Sequence, residues 1–193
     1  MDKKNPTFPL TEKATLDRHL WLVAGLILLA ALSRLLPHPY NFTPLGGMAL
    51  FGAAYFSRRW LGLLVPLAAL WVSNLLLDNL LYAQYYEGFV WFSNPFVFLS
   101  LAAVVALGWL TLRKVTLPRL IGSSLAASTL FFLISNFGVW LQGLLYPKTL
   151  AGLAACYAAA LPFFQNTLLG DLFYVGVLFG TYAFLRKRVP AFA

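Results

Sequence analysis

His19-Leu-Trp-Leu-Val-Ala-Gly-Leu-Ile-Leu-Leu-Ala-Ala-Leu-Ser-Arg-Leu-Leu36 is followed at once by Pro37-His38-Pro39. A bilayer core is crossed by about 20 largely apolar residues in a helix. Pro37 and Pro39 end such a helix, because proline has no N–H and pushes the residue before it out of the helical region. The stretch therefore reads as a transmembrane helix with a firm stop. The rest of the chain repeats the pattern: Thr43 to Phe56, short and carrying Gly46, Gly47 and Gly52; Trp60 to Leu81; Asn94 to Leu112; Leu117 to Leu145; and Phe163 to Leu185. Leu150 to Ala160 is half a span long and ends at Pro162, so it reads as a re-entrant or interfacial helix. The predicted fold is an all-α membrane protein with six transmembrane helices and that short helix before the last span. It forms one domain over residues 1–193: an N-terminal segment 1–18, a bundle 19–187 and a tail 188–193.

Composition agrees. Hydrophobic residues make up 61% of the chain and charged residues 10%, and the mean hydropathy is +0.77. Soluble domains are about half apolar and a quarter charged, which argues against a soluble enzyme. A disordered chain needs low hydrophobicity. One cysteine leaves no intrachain disulfide framework and no thiolate cluster for a metal.

The net charge of +8 is explained by topology. With both termini cytoplasmic, 12 of the 14 basic residues fall inside, in clusters such as Arg58-Arg59, Arg113-Lys114 and Arg186-Lys187-Arg188; only Arg34 and Lys148 fall outside. The positive-inside rule thus predicts six spans, N-in and C-in, and no nucleic-acid site. The polar segment 1–18 lacks the apolar core and small-residue cleavage site of a signal peptide. No phosphate-binding loop of the G-x-x-x-x-G-K-[ST] type occurs, so no ATP hydrolysis is expected of this chain alone.

Polar and aromatic residues gather at the outer side. Helical spacing places Trp71, Asn74 and Asp78 on one face of span 3, Phe132, Asn136 and Trp140 on one face of span 5, and Thr167, Asp171 and Tyr174 on one face of span 6. These stripes predict that Asn74, Asn136 and Asp171 face one outward-opening cavity. Interhelical hydrogen bonds and an aromatic interface belt are the structural alternative. Arg34 and Asp171 are charges inside spans, where an unpaired charge is expensive. They either pair, directly or through a ligand, or Arg34 snorkels to headgroups. The expected ligand-binding residues are Arg34, His38, Asn41, Trp71, Asn74 and Asp78, with Tyr85, Asn136, Trp140, Tyr157, Asn166 and Asp171. His38, stiffened between two prolines, and Cys156 are the candidate ligands to a metal carried by the substrate. Ala49-x-x-x-Ala53 and Gly176-x-x-x-Gly180 permit close helix packing.

The run Arg34-Leu-Leu-Pro-His-Pro-Tyr-Asn-Phe-Thr-Pro44, with Ala49-Leu-Phe-Gly-Ala-Ala-Tyr-Phe56, resembles an uncharacterised family of small bacterial membrane proteins. So do Asn136-Phe-Gly-Val-Trp140, Gly152-Leu-Ala-Ala-Cys-Tyr157 and Pro162-Phe-Phe-Gln-Asn-Thr-Leu-Leu-Gly-Asp171. More distantly, the six-span plan is similar to the substrate-binding S-components of energy-coupling factor vitamin transporters, a class that includes a solitary cobalamin transporter using a cysteine on cobalt. That resemblance implies uptake of a small vitamin- or cofactor-like molecule, with cobalamin the leading candidate as bound substrate, and no cofactor of the protein's own. Span 1 carries Ala24, Ala30 and Ala31 but no Ala-x-x-x-Ala, the motif with which S-components often dock an energising module. Solitary operation or a different docking surface is left open. The alternative function is an accessory or structural subunit of a larger membrane complex. An enzyme is not expected, since no His-x-x-x-His or Glu-x-x-His occurs.

Overall fold

A computed structural model describes residues 10–188, with side chains from Arg18 onward. The outermost parts of the predicted N-terminal segment and tail, residues 1–9 and 189–193, lie outside the described residues. Six α-helices follow one another: α1 Leu10–Leu32, α2 Leu45–Tyr55, α3 Arg59–Leu76, α4 Pro95–Thr111, α5 Leu117–Gln142 and α6 Leu150–Arg188. A 3-10 turn, Ser33–Leu35, extends α1, and a π turn, Leu77–Leu81, extends α3. Among the described residues there is no strand.

Four segments are long and apolar enough to cross a membrane: Arg18–Leu35, Arg59–Leu81, Leu117–Gln142 and Leu150–Arg188. The other two predicted spans are apolar but short. α2 has 11 residues and α4 has 17, roughly 16 and 26 Å at 1.5 Å per residue, against a hydrocarbon core of about 30 Å.

The surface is inverted relative to a soluble bundle. Trp21, Leu29, Leu110, Leu169 and Phe184 are exposed on the flanks, while Ser73, Asn74, Asp78, Ser100, Ser124, Ser128 and Asp171 are buried. Apolar side chains need no burial where the surroundings are lipid, and polar ones are driven to find partners inside. The distribution is compatible with a membrane protein.

The short helix α2 is the axis of the bundle. It touches each of the other five helices, and every residue from Leu45 to Gly52 is buried. Glycine makes this crowding feasible. A Cβ on Gly52 would lie 2.8 Å from the Pro66 ring and 3.1 Å from the Gly62 carbonyl of α3. Phe51 fills the opposite side, edge-on to Phe179 and Tyr182 of α6 at centroid distances of 5.2 and 5.7 Å.

Two boundaries differ from the sequence expectation, and a third is kept but changes character. The first is the re-entrant helix, which does not exist as a separate element: α6 runs unbroken for 39 residues with Pro162 inside it. Proline removes one backbone bond, and a helix in a bundle tolerates this when neighbours hold both sides. Here α5 does so. Tyr157 Oη donates to the Leu133 carbonyl at 2.7 Å, and the Phe132 ring packs on both Tyr157 and Phe164, one on each side of Pro162. The alanine-rich run before it has the strongest helix propensity.

The second is the end of α5, at Gln142 rather than Leu145. Gly143 adopts a left-handed φ of 69° and its N–H closes on the Trp140 carbonyl at 3.0 Å, a glycine stop. The third, the end of α3, reaches Leu81 as expected, but by a π turn. Asn79 Nδ2 donates to the Leu75 carbonyl at 2.9 Å, competing for the oxygen four residues back that the helix would use itself. The helix answers with a π turn. Asn79 also exchanges two hydrogen bonds with the Val90 backbone, which folds the α3–α4 connection over the end of the bundle.

Candidate functional site

The connections 36–44 and 82–94 and the turn after α5 lie at one end of the bundle. The opposite end carries Arg58, Arg59, Arg113, Lys114 and Arg186–Arg188. At the first end a cavity of about 300 Å³ opens, lined by Arg34, Asn41, Thr43, Leu45, Asn94, Val97, Phe131, Phe132, Ser135, Asn136, Val139, Ala160 and Thr167.

Its wall begins with the proline-rich connection. Phe42 N–H donates to the Pro39 carbonyl at 3.0 Å, and Asn41 at the third position has φ 63°. A β-turn with positive φ at that position wants Gly or Asn. Asn166 Nδ2 of α6 donates to the Tyr40 carbonyl at 2.9 Å. Phe42 packs on Phe173 and Tyr174, and Gly170 lets the Phe42–Thr43 backbone lie directly on α6. The loop is thus fastened to α6 on both sides of Asn41, which holds Asn41 and Thr43 at the cavity.

Arg34 leaves the 3-10 turn and crosses to α3. Nη1 donates to Ser73 Oγ at 2.6 Å and to Asn74 Oδ1 at 2.7 Å. Asn74 Nδ2 passes the chain on to Ser93 Oγ at 2.8 Å. These partners are neutral, so the cation stays uncompensated by direct contact with a carboxylate, although the buried Asp78 acts on it electrostatically. From α4, Asn94 caps its own helix by accepting from Phe96 N–H at 2.9 Å, with Pro95 in the first turn. From α5, Asn136 Nδ2 donates to the Phe132 carbonyl at 2.8 Å. Leu45, Val97, Phe131, Phe132 and Val139 supply apolar surface. The lining is thus mixed, with seven polar residues beside six apolar ones, more polar than the usual small-molecule site, and about 300 Å³ is the lower end of the size range for such sites.

Of the residues expected at a site, the cavity brings together Arg34, Asn41 and Asn136. Asn74 stands one step behind, holding Arg34. Asp171 does not join them. It is buried against the first turn of α2, accepting from Gly46 N–H at 2.9 Å and from Ser128 Oγ at 2.6 Å. It neither pairs with Arg34 nor lines the cavity. A carboxylate is favoured at a helix N-terminus, and Gly46 has no Cβ to collide with it. The single cavity for Asn74, Asn136 and Asp171 is therefore corrected. A stripe seven or eight residues long covers roughly 10–12 Å of helix, so its two ends meet different neighbours.

The remaining expected residues lie outside the lining, Asp78 among them, buried in the π turn that extends α3. Trp71 Nε1 donates to the Trp91 carbonyl and Trp140 Nε1 to the Pro147 carbonyl, both at 3.0 Å. Tyr157 and Asn166 make the bonds already described. Tyr85 is 73% exposed on the α3–α4 connection. His38 sits in the proline loop with Nδ1 3.1 Å from the Pro39 carbonyl. Cys156 is buried with Sγ donating to the Asn136 carbonyl at 3.4 Å. Neither lines the cavity, and among the described residues no group of three metal-binding side chains occurs.

The sequence reading passed over Thr43, Asn94, Ser135 and Thr167 as site residues. Thr167 carried a signal as part of the span 6 stripe and Asn94 as the Asn-Pro pair of a helix start.

The family of unknown function DUF6580 matches residues 14–192. The chain belongs to DUF6580. No curated protein and no solved structure matches it, so the functional reading of this DUF6580 chain rests on its own geometry.

Proposed function

We propose that the chain is a membrane-embedded binding protein that takes a small solute from the outer side and moves it inward. The observation that carries this reading is the cavity of about 300 Å³ at one end of the bundle, where Arg34, Asn41 and Asn136 stand in a wall of mixed polar and apolar residues. Two features support the orientation. The cavity end holds Lys148, Glu87 and Asp78, whereas the opposite end holds the arginine and lysine clusters, which the positive-inside rule assigns to the cytoplasm. Six helices in up-down order then give an N-in, C-in protein of the inner membrane, with α2 crossing as a short, protein-sheathed span and α4 as a short span with an exposed flank. This is the plan that resembles the vitamin-transporter S-components, and no energising module is specified by it.

The cavity's size favours a solute well below a corrin, and His38 and Cys156 are outside its lining, so a small polar-headed molecule is preferred over cobalamin. An accessory subunit is the second reading. It is favoured by the exposed aromatics at the cavity end, Tyr40 at 80%, Phe92 at 73% and Trp91 at 63%, which would serve as a protein interface. Native mass spectrometry of gently purified protein separates the two. A retained small molecule that is lost in Asn136→Leu, with folding unchanged, supports the binding protein. A stoichiometric protein partner with no retained ligand supports the subunit.

A further inference from the structure

An arginine carries five N–H donors on three nitrogens. Both hydrogens of Nη1 in Arg34 are spent on Ser73 and Asn74, at 2.6 and 2.7 Å. Nε is buried with no partner, and Nη2 makes no protein hydrogen bond among the described residues. The protein therefore grips the guanidinium through one nitrogen and leaves the edge formed by Nε and Nη2 unspent. That edge is the planar fork that takes both oxygens of a carboxylate. A cation held this way is costly until it is paired. The buried Asp78 acts on it electrostatically but accepts no hydrogen bond from it among the described residues, and Asp171 is committed to Gly46 and Ser128.

We infer that the ligand of this cavity is a small molecule bearing one carboxylate, which docks on the Nε–Nη2 edge of Arg34 while its apolar body lies on Phe131 and Phe132. The inference rests on the cavity being a binding site and names its substrate class. The carboxylate meets Nη2 first, and a small turn of the guanidinium about its Ser73 and Asn74 anchors brings the covered Nε–H into the fork. A monoanion is specified over phosphate because a single cation, already under the field of Asp78, cannot balance two negative charges.

The test uses the full chain in lipid nanodiscs with matched probes: benzoate and benzamide, phenylacetate and phenylacetamide, hexanoate and hexanamide, and inorganic phosphate. At least one carboxylate is expected to bind tenfold or more tightly than its own amide. Arg34→Gln is expected to abolish that preference, and Arg34→Lys, which keeps the charge without the fork, to lose most of it. Should Arg34→Gln not fold, Ala160→Phe narrows the cavity without touching Arg34 and is expected to abolish the preference too. Amides that bind as tightly as carboxylates, or phosphate that binds more tightly than any of them, overturn the carboxylate and leave the cavity reading standing. A carboxylate preference that survives in Arg34→Gln or Ala160→Phe overturns the site. Binding by none of the probes overturns the inference outright, while a different ligand retained in native mass spectrometry would still uphold the binding protein.

Discussion

Asp171 shows how a single buried charge can be structural. Its carboxylate satisfies a backbone donor at the start of α2 and a hydroxyl on α5 while sitting on α6, so one side chain ties three helices. Removing one partner from a buried hydrogen bond leaves the other unsatisfied, at about 1–3 kcal/mol per group. Asp171→Leu is expected to lower the unfolding temperature strongly in detergent. Asp171→Asn, which keeps an acceptor oxygen for Gly46, is expected to lower it much less. Equal loss in the two variants would show that the charge itself matters. At Gly46 the same contact runs the other way. Gly46→Ala places a methyl on the carboxylate, and overpacking of this kind costs roughly 1–3 kcal/mol. The sequence showed that Asp171 lay within a span and needed a partner. It could not show that the partner was a backbone N–H, because every residue but proline carries one and helix starts are not marked by depth.

The helices were legible where the pattern was long and apolar, and misjudged where local chemistry competed with tertiary support. Pro162 looked like a terminus because proline cannot donate to the ladder, yet contacts from α5 on both sides of it keep α6 whole. Pro162→Ala restores the missing N–H and is expected to leave thermal stability unchanged or raise it. A clear loss would mean that the proline shapes the helix in a way the packing requires. The glycine stop after α5 behaves oppositely. Gly143 has φ 69°, where a Cβ is strained, so Gly143→Ala is expected to destabilise by about 1 kcal/mol, the cost usual for such positions, read as a fall in melting temperature. Asn79 and its π turn had no clear mark in the sequence, since an asparagine near a helix end has several ways to bond locally.

At the scale of the molecule, the sequence conveyed an inverted bundle with its basic residues at one end, and it conveyed part of the site. Arg34, Asn41 and Asn136 stood out because an arginine, a loop asparagine and a span asparagine are conspicuous against apolar neighbours. Ser135 did not, because helical hydroxyls are common and bond back to their own helix, as Ser135 does to the Phe131 carbonyl at 2.7 Å. The proposed topology is checked on intact cells. Gln84→Cys, on the α3–α4 connection, is expected to react with an impermeant thiol reagent, and Lys187→Cys, in the basic cluster, to stay unlabelled until the membrane is opened. The reverse pattern would place the cavity on the cytoplasmic side and turn the proposed uptake into export.

The central helix bears on how the chain is made. α2 is too short to seat itself in lipid, and its buried surface is completed only by α4, α5 and α6, which leave the ribosome after it. During synthesis its glycine-rich faces and the N–H of Gly46 wait without their partners, Asp171 among them. On the membrane reading proposed above, α1 to α3 then wait together, or α2 rests at the membrane surface, until the last helix arrives. Assembly is completed from the C-terminal end, and a chain stopped before Asp171 has no finished core.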